Sequence, residues 1–262
     1  MRSTRPTVMA ALLLIVPLAA SAAIQTREVQ LKLGGTVLRG FVAWDDAVAG
    51  RRPGVLVVHE WWGHNEHART QARRLAEAGY VGFALDLYGG GKVATHPDDA
   101  QKFMMEATKD PAAIRARFSA ALVELKTDPH VDPSRIAAVG YCFGGGVVLD
   151  RAREGHPDLD AVVSVHGILA TQTPAKKGVV HARVLVLAGA DDPMVPAAHI
   201  DAFRKEMDAA GASYTVVTFP GTRHAFTNPQ ADSHGMDALR YNADADKRSW
   251  AAMVTLFKDL WK

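Results

Sequence analysis

A chain of 262 residues with 48% apolar and 22% charged side chains has the composition of an ordinary globular protein, with enough apolar surface for a sizeable core. Its 30 Lys+Arg and 28 Asp+Glu nearly balance, and no basic cluster lies beside aromatics, which excludes the electrostatic signature of a nucleic-acid partner. A single cysteine excludes any intramolecular disulfide, and in an oxidising compartment such a thiol is a liability unless buried or used.

In chain order, Arg2 and Arg5 precede the apolar run Val8 to Ala20, and Ala20-Ser21-Ala22 supplies the small residues of a cleavage site. Basic, apolar and small-residue regions in that order describe a secretory signal peptide over residues 1–22. The run of about 13 residues is interrupted by Pro17 and falls short of the roughly 20 needed to cross a bilayer. Cleavage removes two arginines and no acid, leaving 28 basic against 28 acidic residues. The expectation is export to a periplasm or beyond, with no stable membrane anchor afterwards.

Residues 23–262 read as one domain. Strands are predicted at Val29–Leu33, Val37–Val42, Val55–His59, Val81–Leu85, Ile136–Tyr141, Ala161–His166, Val184–Ala188 and Tyr214–Phe219. Several are continuous Val/Leu/Ala runs, as in parallel strands covered on both faces. Helices are predicted at His67–Ala78, Pro97–Thr108, Ala112–Lys126, Phe143–Arg153, Ala197–Ala210 and Asp246–Trp261. Gly79 marks the end of the first, and Pro196 and Gly211 bracket the fifth. Gly34-Gly35 joins the first two strands as a hairpin. An antiparallel entry followed by repeated βα units gives a doubly wound, mostly parallel α/β sheet of about eight strands. Chemistry in such sheets sits at the carboxyl ends of the strands.

Four segments carry chemistry at those ends. Gly140-Tyr141-Cys142-Phe143-Gly144-Gly145 runs from a strand into a helix, a nucleophile elbow with Cys in place of Ser. The glycines relieve collisions in the sharp turn, and a thiol at a helix N-terminus is favoured as thiolate. Asp191 and Asp192 follow the seventh strand, and His224 follows the eighth. Cys142, Asp192 and His224 thus occur in the nucleophile–acid–base order of α/β-hydrolases. At the end of the third strand, His59-Glu60-Trp61-Trp62-Gly63-His64 looks superficially like a zinc motif. Its histidines are five apart on a strand-to-loop segment, however, so no metal site is expected. Its better reading places Trp61 N–H as an oxyanion donor and Glu60 near the thiol.

Together these segments resemble the dienelactone hydrolase family over nearly all of residues 29–262. Asp86-Leu87-Tyr88, Gly189 with Asp192 and Val195-Pro196, and His224-Ala225-Phe226 also match family positions. The resemblance implies an α/β-hydrolase fold and a Cys142–Asp192–His224 triad, selecting Asp192 over Asp191. It further implies that Glu60 can take the thiol proton when substrate binds. Members that cleave dienelactone place arginines after the D-L-Y segment and past the catalytic histidine to hold the substrate carboxylate. Here those regions read Gly89-Gly90-Gly91-Lys92 and Thr227-Asn228. Lys92 offers a point charge but no bidentate clamp.

The expectation is therefore an exported, monomeric hydrolase of a small ester or lactone, requiring no cofactor or metal. Phe143 and Trp61 would supply the oxyanion donors, and Trp62, Tyr88, Phe226 and Lys92 would line the pocket. Two alternatives stay open: a non-catalytic binding protein on the same scaffold, and a thioesterase or acyltransferase using the same thiol.

Overall fold

The computed structural model describes residues 24–262, so the signal-peptide segment lies outside the described residues. The chain forms an eight-stranded sheet in the order β1-β2-β4-β3-β5-β6-β7-β8. These strands are β1 (Ile24–Leu33), β2 (Thr36–Asp45), β3 (Arg52–Val58), β4 (Val81–Leu85), β5 (Val131–Tyr141), β6 (Ala161–Val165), β7 (Arg183–Gly189) and β8 (Tyr214–Phe219). β1 and β2 form the antiparallel hairpin, β2 runs antiparallel to β4, and every later pairing is parallel. β3, β4 and β6 are buried along their whole length, the consequence of helices on both faces.

The helices are α1 (Glu66–Glu77), α2 (Pro97–Thr108), α3 (Pro111–Thr127), α4 (Phe143–Arg153), α5 (Ala197–Ala210) and α6 (Ala243–Leu260), with a short 3-10 turn at Ala231–His234. One core, containing Leu75 of α1 and Met253 and Phe257 of α6, covers one face of the sheet. The other, with Phe118, Val148 and Phe203, lies beneath α3, α4 and α5. Side-chain caps explain why three helices begin ahead of their apolar periodicity. Asn65 accepts from Ala68 N at 3.4 Å, Asp110 from Ala113 N at 3.0 Å and Asn242 from Ala245 N at 3.1 Å. β5 likewise starts at Val131 rather than Ile136, because an irregular pairing with β3 carries Val131 and Asp132 opposite Arg52 and Pro53.

The sheet order reverses at β3, which lies between β4 and β5. In that register Val58 pairs with Gly140. The segments that leave these two strands, His59-Glu60-Trp61 and Tyr141-Cys142-Phe143, therefore emerge side by side. Gly144 N donates to His59 O at 3.2 Å and ties them together. This switch point is where a ligand crevice forms in open α/β sheets.

Candidate active site

Cys142 joins β5 to α4 with φ 52° and ψ −115°, a conformation that costs a non-glycine residue about 1–3 kcal/mol. The turn can close because its neighbours lack side chains. A Cβ on Gly140 would lie 2.0 Å from Gly144 O, and one on Gly144 would lie 2.4 Å from Val58 O. The strained peptide is held by Cys142 N–H, which donates to Val165 O at 3.0 Å and His166 Nδ1 at 3.1 Å. An accepting Nδ1 puts the His166 proton on Nε2, facing Thr227 Oγ1 at 3.0 Å. Burial and the charge of His224 hold His166 well below the usual histidine range, which keeps it neutral.

His224 Nδ1 lies 2.7 Å from Asp192 Oδ2, and both side chains are buried. Asp192 Oδ1 accepts from Met194 N at 2.8 Å, which fixes the carboxylate plane. The His224 backbone is fastened on both sides, donating to Ala238 O at 3.1 Å and accepting from Arg240 N at 3.0 Å. His224 Nε2 has no protein partner in its buried position, on the same cleft wall as Cys142. Burial works to lower the imidazole pKa, but the charge of Cys142 opposite and the Asp192 carboxylate outweigh it and raise it to about 10.

Glu60, only 2% exposed, accepts from Asn228 Nδ2 at 2.7 Å through Oε2, while Oε1 has no partner. Burial raises its pKa to about 7 against the opposing pull of Asn228 and the charge of His224. His59 and His64, the residues of the superficial zinc pattern, are both engaged by backbone. His59 Nε2 accepts from Leu87 N at 3.2 Å, and His64 Nε2 donates to Ala84 O at 3.1 Å. Through His59 the end of β3 is fastened to the segment that follows β4.

The Phe143 N–H is the first of α4, among the donors a helix leaves without an internal acceptor. Among the described residues no acceptor engages the Trp61 N–H. Both residues line an open cleft of ≈ 1250 Å³ that also contains Cys142 and His224. The other expected pocket residues lie elsewhere. Trp62 is buried and stacks on His234 at 3.8 Å, because successive side chains leave this segment on different sides. Phe226 belongs to the core against Phe219 and His166. Tyr88 packs behind the wall, its hydroxyl donating to Trp61 O at 2.9 Å and its ring stacked on Phe143. Lys92 is 46% exposed and pairs with Glu106 at 3.5 Å outside the cleft lining. The apolar wall comes instead from Ile114, Val147, Ile168, Met194 and Leu239. No local motif marks these residues, which meet only because α3, α4 and the three loops after β6, β7 and β8 cover the strand ends together. Asn228 was legible only as a missing arginine, and its bond to Glu60 required the fold.

The sequence matches the family model of the dienelactone hydrolases over residues 38–261. The chain belongs to the dienelactone hydrolase family. Among solved structures, a dienelactone hydrolase-like promiscuous phosphotriesterase from metagenomic libraries is 38% identical at a TM-score of 0.86, covering 92% of this chain and 99% of that one. A family homologue from Klebsiella pneumoniae is 26% identical at a TM-score of 0.76, over 90% of this chain and 99% of the other. A protein of Methylorubrum extorquens named as a carboxymethylenebutenolidase is 30% identical over 241 residues, 88% of this chain and 80% of that protein. As a dienelactone hydrolase family member with this fold, the protein is a carboxylic ester hydrolase, which sets aside the reading as a non-catalytic binding scaffold.

Proposed function

We propose that the protein hydrolyses a small ester or lactone through a thioacyl-enzyme on Cys142. The observation that carries this reading is the approach of the Asp192–His224 pair to the elbow thiol in one cleft, with the free imidazole nitrogen unpartnered. The thiolate attacks the ester carbonyl, and the oxyanion is met by the Phe143 and Trp61 N–H groups, each such donor being worth about 3–4 kcal/mol. Collapse of the tetrahedral adduct breaks the C–O bond, and the His224 imidazolium protonates the departing alkoxide. In a lactone that alkoxide remains tethered to the acyl chain. Neutral His224 then removes a proton from water, which attacks the thioester. The acid leaves, and sulfur returns as thiolate beside the imidazolium. Glu60, with one free oxygen and a pKa near 7, takes up or returns the thiol proton when substrate changes the field around His224. Export after cleavage at Ala22 is part of the same proposal and rests on the pattern of residues 1–22.

Hydrolysis of para-nitrophenyl acetate by residues 23–262, beside Cys142→Ala and Asp192→Asn, tests the chemistry. The parent is expected to show a stoichiometric burst and steady turnover. Either variant should lose on the order of a thousandfold or more in kcat. Full activity in Cys142→Ala would overturn the thiol mechanism. Transfer to added amine or alcohol, in preference to water, would move the assignment to acyl transfer.

A further inference from the structure

The cleft extends well past the thiol, along one face of α4. Phe143, Val147, Asp150 and Glu154 line it at helical spacing, with Arg151 and Arg153 beside them. Near the thiol the wall is apolar, with Ile114, Val147 and the 38% exposed Ile168. At the far end the lining becomes charged.

The charges at that end do not balance one another. Arg153 is fully engaged, donating to Glu206 at 2.8 Å, Asp150 at 3.1 Å and Leu169 O at 2.7 Å. Glu154 alone is shared by two guanidiniums, Arg151 at 3.0 Å and Arg115 at 3.5 Å. Lys176, from the loop that lies against the end of α4, adds positive charge at the rim. The side chain of Arg151 is 6% exposed, yet its bond to Glu154 is the one hydrogen bond it makes among the described residues, and its Nε is buried without a partner. Basic residues in the last turn of a helix complement its dipole, and that would account for an exposed arginine. It does not account for a guanidinium whose side chain is almost wholly buried, with Nε unpartnered, one bond through Nη2, and its remaining donors left to the cleft, where an anion can meet them.

We propose that Arg151, with Arg115, forms an anion subsite at the far end of the cleft for the carboxylate of a long apolar ester. The inference deepens the esterase reading above by naming the substrate class, and it rests on that reading. At 1.5 Å per residue, α4 carries Arg151 about 13 Å beyond Cys142, a distance that a chain of roughly ten carbons spans. The recognised anion is thus remote from the scissile carbonyl. That agrees with the absence of arginine at Gly89-Gly90-Gly91-Lys92 and Thr227-Asn228 beside the thiol.

The test compares decanoate with its uncharged analogue decanamide. Both are measured as competitive inhibitors of para-nitrophenyl acetate hydrolysis, and as quenchers of tryptophan fluorescence in Cys142→Ala, since Trp61 lines the cleft. Decanoate is expected to bind about tenfold or more tightly, the range of a charge-assisted hydrogen bond. The preference should fall toward unity in Arg151→Met and in the more exposed Arg115→Gln, with hydrolysis of the short acetate unchanged. Equal binding of the two ligands by the parent would overturn the subsite, as would a preference that survives in both variants. Absence of ester turnover with the binding preference intact would instead count against the esterase reading alone.

Discussion

Glu60 lies buried beside Asn228 with a carboxylate that the fold disfavours as an anion. One oxygen is bonded to Asn228 and the other to nothing. Its pKa moves from 4.5 to about 7, chiefly through burial. Below pH 4.5 the residue is protonated folded or unfolded and has no effect on the balance. Between there and about 7 the unfolded chain releases the proton while the folded one keeps it, so stability declines as pH rises. Above 7 both forms are ionised and the full penalty, about 3 kcal/mol, is present. Glu60→Gln should therefore match the parent in urea at low pH and exceed it by up to about 3 kcal/mol in mildly alkaline buffer. A difference independent of pH would show that Glu60 does not titrate in this range. Of the candidate site, the proposed triad of Cys142, Asp192 and His224 was legible as a pattern because each follows a strand and the elbow glycines mark a turn that few sequences need. The pocket residues were not. Trp62 and Phe226 are as aromatic as Trp61, and only the direction in which each leaves the chain separates core from cleft.

At the scale of elements, the amino and carboxyl ends of the strands divide stability from chemistry. Phe257 of α6 is fully buried, packed on Tyr80 at 5.5 Å and Trp261 at 5.2 Å. Tyr80 immediately precedes β4, which puts this cluster at the amino end of the sheet, away from Cys142. Phe257→Ala should cost about 3–5 kcal/mol, as aromatic truncations in cores do. Ester turnover per folded molecule should stay at the parent level, read as kcat/KM well below the unfolding midpoint. A loss of kcat/KM without loss of stability would mean that α6 acts on the site directly. Strands and helices were themselves legible, since continuous Val/Leu/Ala runs and the Pro196 and Gly211 signals are local. The start of β5 was not, because Val131 joins the sheet through a partner, Arg52, that is remote in sequence. The short turn at Ala231–His234 escaped for the same reason. It is set by Trp62 stacking on His234 and by Asp232 accepting from Tyr241 N at 3.1 Å.

For the molecule as a whole, charge and redox setting meet at the N-terminus. With residues 1–22 in place the chain has an isoelectric point of ≈ 8.7 and a formal charge of +2. Few side chains titrate between neutrality and the cysteine and lysine range, so the titration curve is shallow there and two charges displace the isoelectric point widely. Removing Arg2 and Arg5 leaves 28 basic and 28 acidic residues, which brings the isoelectric point close to neutrality. The protein would then be delivered to an oxidising compartment with one thiol, and no second cysteine with which to form a disulfide within the chain. Cys142 is half-buried but lines the open cleft, so small oxidants reach it by the same route as substrate. Isoelectric focusing and intact mass of the protein recovered from the cells that produce it read the outcome together. Export predicts a species that begins at Ala23, focuses near neutrality and is recovered outside the cytoplasm. A species that retains Met1–Ala22, focuses near 8.7 and stays in the cytoplasm would overturn it. Cys142 would then work where thiols are kept reduced.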